Sequence, residues 1–239
     1  MNETDSATPP SSSAQQAPAL RPITAQETAA QLRCPSGKLG LEFGRVMNLR
    51  NLSMIVGGVR QLDLQPGQQI LELGAGDGGV LGYVLSRAQE IRYTGLDISP
   101  TMVEAARRFN TPFIEAGLAS YVLYDGGRLP LADASFDCAL SVNTVYFWRD
   151  PALTLAELGR VLRPGGRLCL TFSERAFMSK LPFTTHGFAL LDAADIEAMI
   201  DAHALPLRRH ALVQDKDLAV SKDGRLVHRP FVHLVLART

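Results

Sequence analysis

Residues 70–79, Ile-Leu-Glu-Leu-Gly-Ala-Gly-Asp-Gly-Gly, constrain the fold more than any other stretch of this chain. A short apolar run carries one acid, Glu72, and ends in a turn with glycine at the alternate positions Gly74, Gly76 and Gly78. Glycine reaches positive φ without steric cost and lets a ligand or another backbone approach closely. A buried strand followed by such a turn and then a helix is the nucleotide-binding element of open α/β sheets.

The same run satisfies G-x-G-x-x-G through Gly74, Gly76 and Gly79, and Asp97 ends the next apolar run, Tyr93-Thr-Gly-Leu-Asp97. That spacing suits a dinucleotide fingerprint, so an NAD-dependent oxidoreductase is one reading of the turn. The remaining motifs favour another. Glu72 stands two residues before the first glycine, which makes Glu-x-Gly-x-Gly-x-Gly. Gly95-Leu-Asp-Ile-Ser-Pro100 follows, then Asp125-Gly-Gly-Arg-Leu-Pro-Leu131 with Ala134-Ser-Phe-Asp137. Val142-Asn-Thr-Val-Tyr-Phe-Trp-Arg-Asp-Pro151 and Leu162-Arg-Pro-Gly-Gly-Arg-Leu168 complete the series. Five ordered motifs are far more specific than one glycine turn. Together they resemble the class I S-adenosylmethionine (SAM)-dependent methyltransferases, nearest to the small-molecule branch that includes ubiquinone and menaquinone biosynthesis enzymes.

Composition is compatible with that resemblance. The 239 residues are 46% hydrophobic, enough for one domain with a full core. The 24 basic and 24 acidic residues balance, which argues against a long nucleic acid as substrate, since such proteins usually carry a basic face. No stretch has the roughly 20 apolar residues of a spanning helix. The first residues have no basic start followed by an apolar core, so no secretory signal is expected. Cys34, Cys138 and Cys169 lack metal-ligand spacing, and a reducing, cytoplasmic setting is expected.

Residues 1–20, rich in Ser, Ala, Gln and Pro, are expected to be a disordered tail. Ile23 to Leu32 reads as a short helix capped by Thr24 with Glu27 three residues on, and residues 34–62 carry a continuing helical signal. From Gln69 strands alternate with helices. The strands read 69–73, 92–97, 120–124, 136–142 and 167–173; the helices read near 78–89, 100–109, 151–162 and 191–203. This alternation predicts a parallel sheet with helices on both faces. Extended runs near 208–214 and 230–237 close the chain. The resemblance implies a Rossmann-like, doubly wound, seven-stranded, mostly parallel sheet whose last strand is antiparallel. It divides the chain into a segment over 21–64 that covers the cofactor pocket and a SAM-binding domain over 65–239.

It also implies site roles. Gly74, Gly76 and Gly78 line the methionine and ribose of SAM. Glu72 orients the turn or meets the ligand's ammonium, unless it only bonds turn amides. Asp97 accepts both ribose hydroxyls as an ionised carboxylate, because Ser99 is free to cap the helix from Pro100. Ile98 and Met102 sandwich the adenine, although Met102 is equally a core residue. Asp125 takes the adenine amino group beside the Gly126 amide. Asn143 ends the fourth strand where cofactor and acceptor meet. Tyr146 and His186 are the candidate catalytic side chains, with His186 able to take a proton near neutral pH. The acceptor is expected to be a small molecule, apolar or aromatic, from Phe43, Met47, Phe177, Met178, Phe183 and Phe188 in residues 20–60 and 174–190. A SAM-binding partner or regulator without catalysis fits the same motifs.

Overall fold

The computed structural model describes residues 23–220 and 225–239; the tail expected over 1–20 lies outside the described residues. Three helices come first: α1 (Ala25–Arg33), α2 (Gly37–Arg50) and α3 (Leu52–Leu62). There follow β1 (Gln69–Leu73), α4 (Leu81–Leu85), β2 (Arg92–Asp97), α5 (Pro100–Phe109), α6 (Thr111–Glu115), β3 (Ala119–Leu123) and β4 (Phe136–Val142). The rest is α7 (Pro151–Val161), β5 (Leu162–Phe172), α8 (Arg175–Met178), α9 (Ala193–Ala202), β6 (Leu207–Val220) and β7 (Leu226–Arg238). Among the described residues no helix is long and apolar enough to cross a membrane.

The seven strands form one sheet in the order β3-β2-β1-β4-β5-β7-β6. β1 to β5 run parallel, and β7 lies antiparallel between β5 and β6. Strand order reverses beside β1, so a crevice opens over the carboxyl ends of β1 and β4. The period-two alternation of the strands feeds two cores. Leu71, Ala139, Leu168, Leu170 and Leu234 pack against α7 and α9 on one face. Ile70, Cys138, Leu140, Cys169 and Val235 pack with α3, α4 and α5 on the other.

Local sequence explains most element ends. Thr24 caps α1 in a reciprocal box with Glu27, and Asp192 and Asp195 do the same for α9. Ser99 accepts the Met102 amide at the start of α5, and Pro100 fills the first helical position. The helical signal over 34–62 divides at Asn51, the shared end of α2 and α3. The helix expected over 78–89 shrinks to the five residues of α4, because Gly78, Gly79 and Gly82 disfavour helix there. α6 and α8 were not anticipated; each is a single turn too short for periodicity to register. The closing strands are longer than the expected 208–214 and 230–237. Past the Phe172–Val232 pair, β7 continues as a two-stranded ladder with β6. Arg229 holds this extension in place, pairing with Asp217 and bonding the Asn51 side chain and the Arg50 carbonyl.

α3 lies on the sheet through bare backbone. A Cβ on Gly58 would stand 2.7 Å from Thr171 Oγ1 and 2.9 Å from Leu140 Cδ1. Gly58→Val should therefore destabilise the fold by about 1–3 kcal/mol, the usual effect of overpacking, read as a lower urea midpoint at unchanged slope.

Candidate functional site

The glycine turn climbs over the end of β2. Gly74, Gly76 and Gly78 have φ of 83°, 56° and 69°, all in the left-handed region. The amides of Gly74 and Ala75 donate to the Leu96 carbonyl at 2.7 and 3.0 Å. A Cβ on Gly74 would strike Thr144, and one on Gly78 would strike Tyr121 and Asn110. At Gly76 nothing lies within 4 Å of that position. The three glycines thus differ: two admit neighbouring side chains, and Gly76 alone faces open space.

Asp97 is built into the same turn. Its Oδ2 accepts the Gly76 amide at 2.9 Å and its Oδ1 accepts the Ser99 amide at 2.8 Å. Only 8% of the residue is exposed. Burial raises its carboxyl above the ordinary range, against the opposing pull of the Ser99, Gly76 and Ile98 amides. Ser99 caps α5 with its hydroxyl oxygen and donates to the Pro35 carbonyl, so Asp97 has no capping duty to α5.

Glu72 bonds differently from the sequence expectation. The turn amides go to Leu96 and Asp97, while Glu72 Oε2 accepts the Tyr93 hydroxyl at 2.6 Å. The side chain is buried beneath the turn, at 4% exposure. Burial pushes its carboxyl up to about 7, with Asp97 adding to the rise and the Tyr93 hydroxyl opposing it. Beside it, Asn110 Nδ2 donates to the Tyr121 hydroxyl and to the carbonyls of Gly78 and Ala106.

Past β2 and β3 the loop at Gly126 comes close to Ile98. A Cβ on Gly126, whose φ is 81°, would stand 3.7 Å from Ile98 Cγ2. Asp125 is exposed, and its Oδ1 accepts the Gly127 amide at 2.9 Å. Met102 is 1% exposed, with its sulfur 2.8 Å from where a Gly44 Cβ would be.

The N-terminal helices lie against these elements. Cys34 Sγ meets the Ile98 carbonyl, Pro35 accepts from Ser99, and Gly44 of α2 seats on Met102. Asn48 of α2 donates to Asp77 Oδ1, which also accepts the Gly79 amide at 3.1 Å. Sequence reading missed Asn48 and Asp77; the signal for Asp77 was its place as the one acid inside the glycine turn.

Beyond β4 the chain turns at Asn143, a non-glycine residue at φ 56°. Such backbone is uncommon outside glycine and tends to mark functional turns. Asn143 Nδ2 donates to Met54 Sδ at 3.3 Å, and its Oδ1 accepts from the Tyr146 hydroxyl at 3.4 Å. Tyr146 is buried, and its hydroxyl donates to the Ser173 carbonyl and accepts the Ser173 amide, both at 2.8 Å. Burial raises its pKa. A hydroxyl so held links the turn after β4 to the residue that follows β5. Phe188 gathers Phe147, Phe183 and Tyr146 with ring centroids 4.6, 5.5 and 5.7 Å away. His186 is exposed at the end of the 3-10 turn Pro182–Thr185, with its backbone amide on the Phe183 carbonyl. Arg33 of α1 donates to the neighbouring Gly187 carbonyl at 2.6 Å.

Residues 71–170 match the family model for a methyltransferase domain. An O-methyltransferase of Pyrenophora dematioidea is 33% identical over 112 residues, 47% of this chain and 42% of that protein. A fatty-acid O-methyltransferase of Mycolicibacterium smegmatis is 35% identical over 111 residues, 46% of this chain and 39% of that protein. The chain spans less than half the length of the first curated relatives it matches. Among solved structures, a SAM-dependent methyltransferase from Aquifex aeolicus superposes with a TM-score of 0.62 at 16% identity, covering 91% of this chain and all of that one. Residues 71–170 thus match a methyltransferase domain, and the chain shares its fold with a solved SAM-dependent methyltransferase.

Proposed function

We propose that this chain binds SAM over the Gly74–Gly78 turn and methylates a small, apolar or aromatic acceptor at an oxygen atom. One observation carries the reading: the Asp97 carboxylate, held by the Gly76 and Ser99 amides, lies beside the only glycine of the turn that faces open space. Each carboxylate oxygen has used one lone pair and keeps another, which suits the two hydroxyls of a ribose. The open face of Gly76 admits a ligand against bare backbone. These residues fit the cofactor.

Ile98 and Gly126 then hold the flat base, with Asp125 at its edge. Asn143 and the turn take the methionine end, while Glu72, its carboxyl raised to about 7 by burial, supports the turn from beneath. Bound SAM supplies a sulfonium whose methyl group is already electrophilic, so the cofactor carries the hard chemistry. The task left to this chain is in-line placement of the acceptor and exclusion of water, worth roughly 7–11 kcal/mol when orientation is good. Phe147, Phe183 and Phe188 wall the acceptor side, and α1 and α2 close it from above. The two O-methyltransferase relatives support oxygen as the acceptor atom, and the fatty-acid enzyme supports an apolar one.

Titration calorimetry should show saturable binding of SAM and of S-adenosylhomocysteine, with none of NAD. Asp97→Ala should abolish that binding while the thermal midpoint shows the fold retained; unchanged affinity would remove Asp97 from the site. Phe188→Ser should raise the acceptor's KM several-fold and leave SAM affinity unchanged. Glu72 makes a pH prediction. The unfolded chain releases this proton near 4.5 and the folded chain near 7. Its contribution to stability is full below pH 4.5 and declines as pH rises to about 7. Relative to wild type, Glu72→Gln should gain about 3 kcal/mol across that window, measured by urea unfolding as a function of pH.

A further inference from the structure

Arg149 leaves the loop after β4 and reaches the loop after β3. Its Nη2 donates to the Asp125 carbonyl. The guanidinium also flanks Gly126: Nη2 and Nε stand 3.6 and 3.8 Å from where a Cβ on that glycine would be, and Ile98 Cγ2 stands 3.7 Å from the same point. Gly126 is therefore enclosed by Ile98 and by Arg149.

Both chain neighbours of Arg149 are anchored. Trp148 is buried, with Nε1 donating to Thr144 Oγ1 at 3.2 Å. Asp150 caps α7 by accepting the Leu153 amide at 2.9 Å. The Arg149 side chain thus projects from a fixed base. The loop it reaches is tied at its far end, where the Leu129 amide donates to Glu157 and the Leu129 carbonyl accepts from Arg160. At its near end the Asp125 side chain bonds only within its own turn, to the Gly127 amide. One residue earlier the Tyr124 amide donates to the Asp97 carbonyl at 3.2 Å, and at Asp125 itself the bond from Arg149 adds a tie to the loop after β4.

We infer that Arg149 is a positioning residue for base recognition: by holding the Asp125 carbonyl it fixes the Asp125 carboxylate and the Gly126 amide beside Ile98. This rests on the SAM reading above. A carboxylate accepts and an amide donates, which is the complement of a 6-aminopurine, where the exocyclic group donates and N1 accepts. A 6-oxopurine reverses both and leaves each protein group facing its own kind. A site built on hydrogen bonds rejects the analogue that cannot make them only if its groups are held in place. Arg149 therefore sets how strongly the site prefers adenine over hypoxanthine.

The test measures dissociation constants for S-adenosylhomocysteine and S-inosylhomocysteine by calorimetry, for the wild-type chain, Arg149→Met and Arg149→Lys. Wild type should prefer the adenine compound by roughly 100-fold, as two opposed hydrogen bonds imply. Arg149→Met keeps the aliphatic stem and loses the donor, so this preference should fall about tenfold. Arg149→Lys, which restores one donor, should recover part of it. Equal weakening of both ligands in Arg149→Met, or an unchanged ratio, would overturn the inference and leave the cofactor reading intact. If Arg149→Met does not fold, a wild-type ratio in Arg149→Lys overturns the inference by itself. Failure of the wild-type chain to bind either compound would instead strike the cofactor reading, and this inference with it.

Discussion

The buried carboxylate of Asp97 is the interaction on which the site depends. A carboxylate with so little exposure loses most of its hydration, and the two backbone amides that meet it replace part of what was lost. Those amides come from the glycine turn after β1 and from the start of α5. One charge therefore ties together the ends of two adjacent strands and the helix that follows. The positive φ of Gly76 aims its amide at Asp97 and at the same time keeps that part of the turn free of side chains. Electrostatics and backbone shape here impose the same geometry.

The surrounding elements support that arrangement in different ways. α3 is joined to the sheet by close approach of its backbone, Gly57 against His233 and Gly58 against Thr171 and Leu140. α2 meets α5 through one small contact, Gly44 on Met102, and the turn through one polar contact, Asn48 on Asp77. The break at Asn51 separates these two regimes, and Arg229 bonds on both sides of it, to Arg50 and to Asn51. The aromatic group around Phe188 sits between Tyr146, fixed by Ser173, and the loop to which α1 is tied through Gly187. The proposed acceptor side is thus bounded by one rigid wall and one wall made from loop and helix.

Much of this was legible in the chain itself. The strands over 69–73, 92–97 and 136–142 were read at the bounds they have, because each is an apolar run ended by a turn residue whose local chemistry is strong. Ser99 was read as a cap, and that reading freed Asp97. What local pattern cannot show is which face of a bare turn stays bare. Gly74 and Gly78 look like Gly76 in sequence, yet Thr144, Tyr121 and Asn110 fill the space over them. The same limit hid Asn48 from Asp77, 29 residues apart, and Arg149 from Asp125, 24 residues apart. The bond between Tyr146 and Ser173 was hidden in the same way, because Ser173 lies on the neighbouring strand's exit. The length of the β6–β7 extension was hidden in a comparable way, since polar residues such as Asp217 and Arg229 interrupt the apolar pattern and find their partners only across the hairpin.

The antiparallel insertion of β7 has a consequence for the order of assembly. β6 precedes β7 in the chain, yet it touches the sheet only through β7. Until residues 226–238 have been synthesised and have found β5, β6 is a strand of 14 residues with nothing to pair with. Arg208, Arg209, Asp215, Lys216 and Asp217 along it are the kind of charges that keep an unpaired edge from joining another chain. The turn and Asp97 belong to the earlier strands, whose parallel pairs need only the helices between them. The half of the molecule that carries the proposed binding groups can therefore consolidate while its far edge is still waiting for its neighbour.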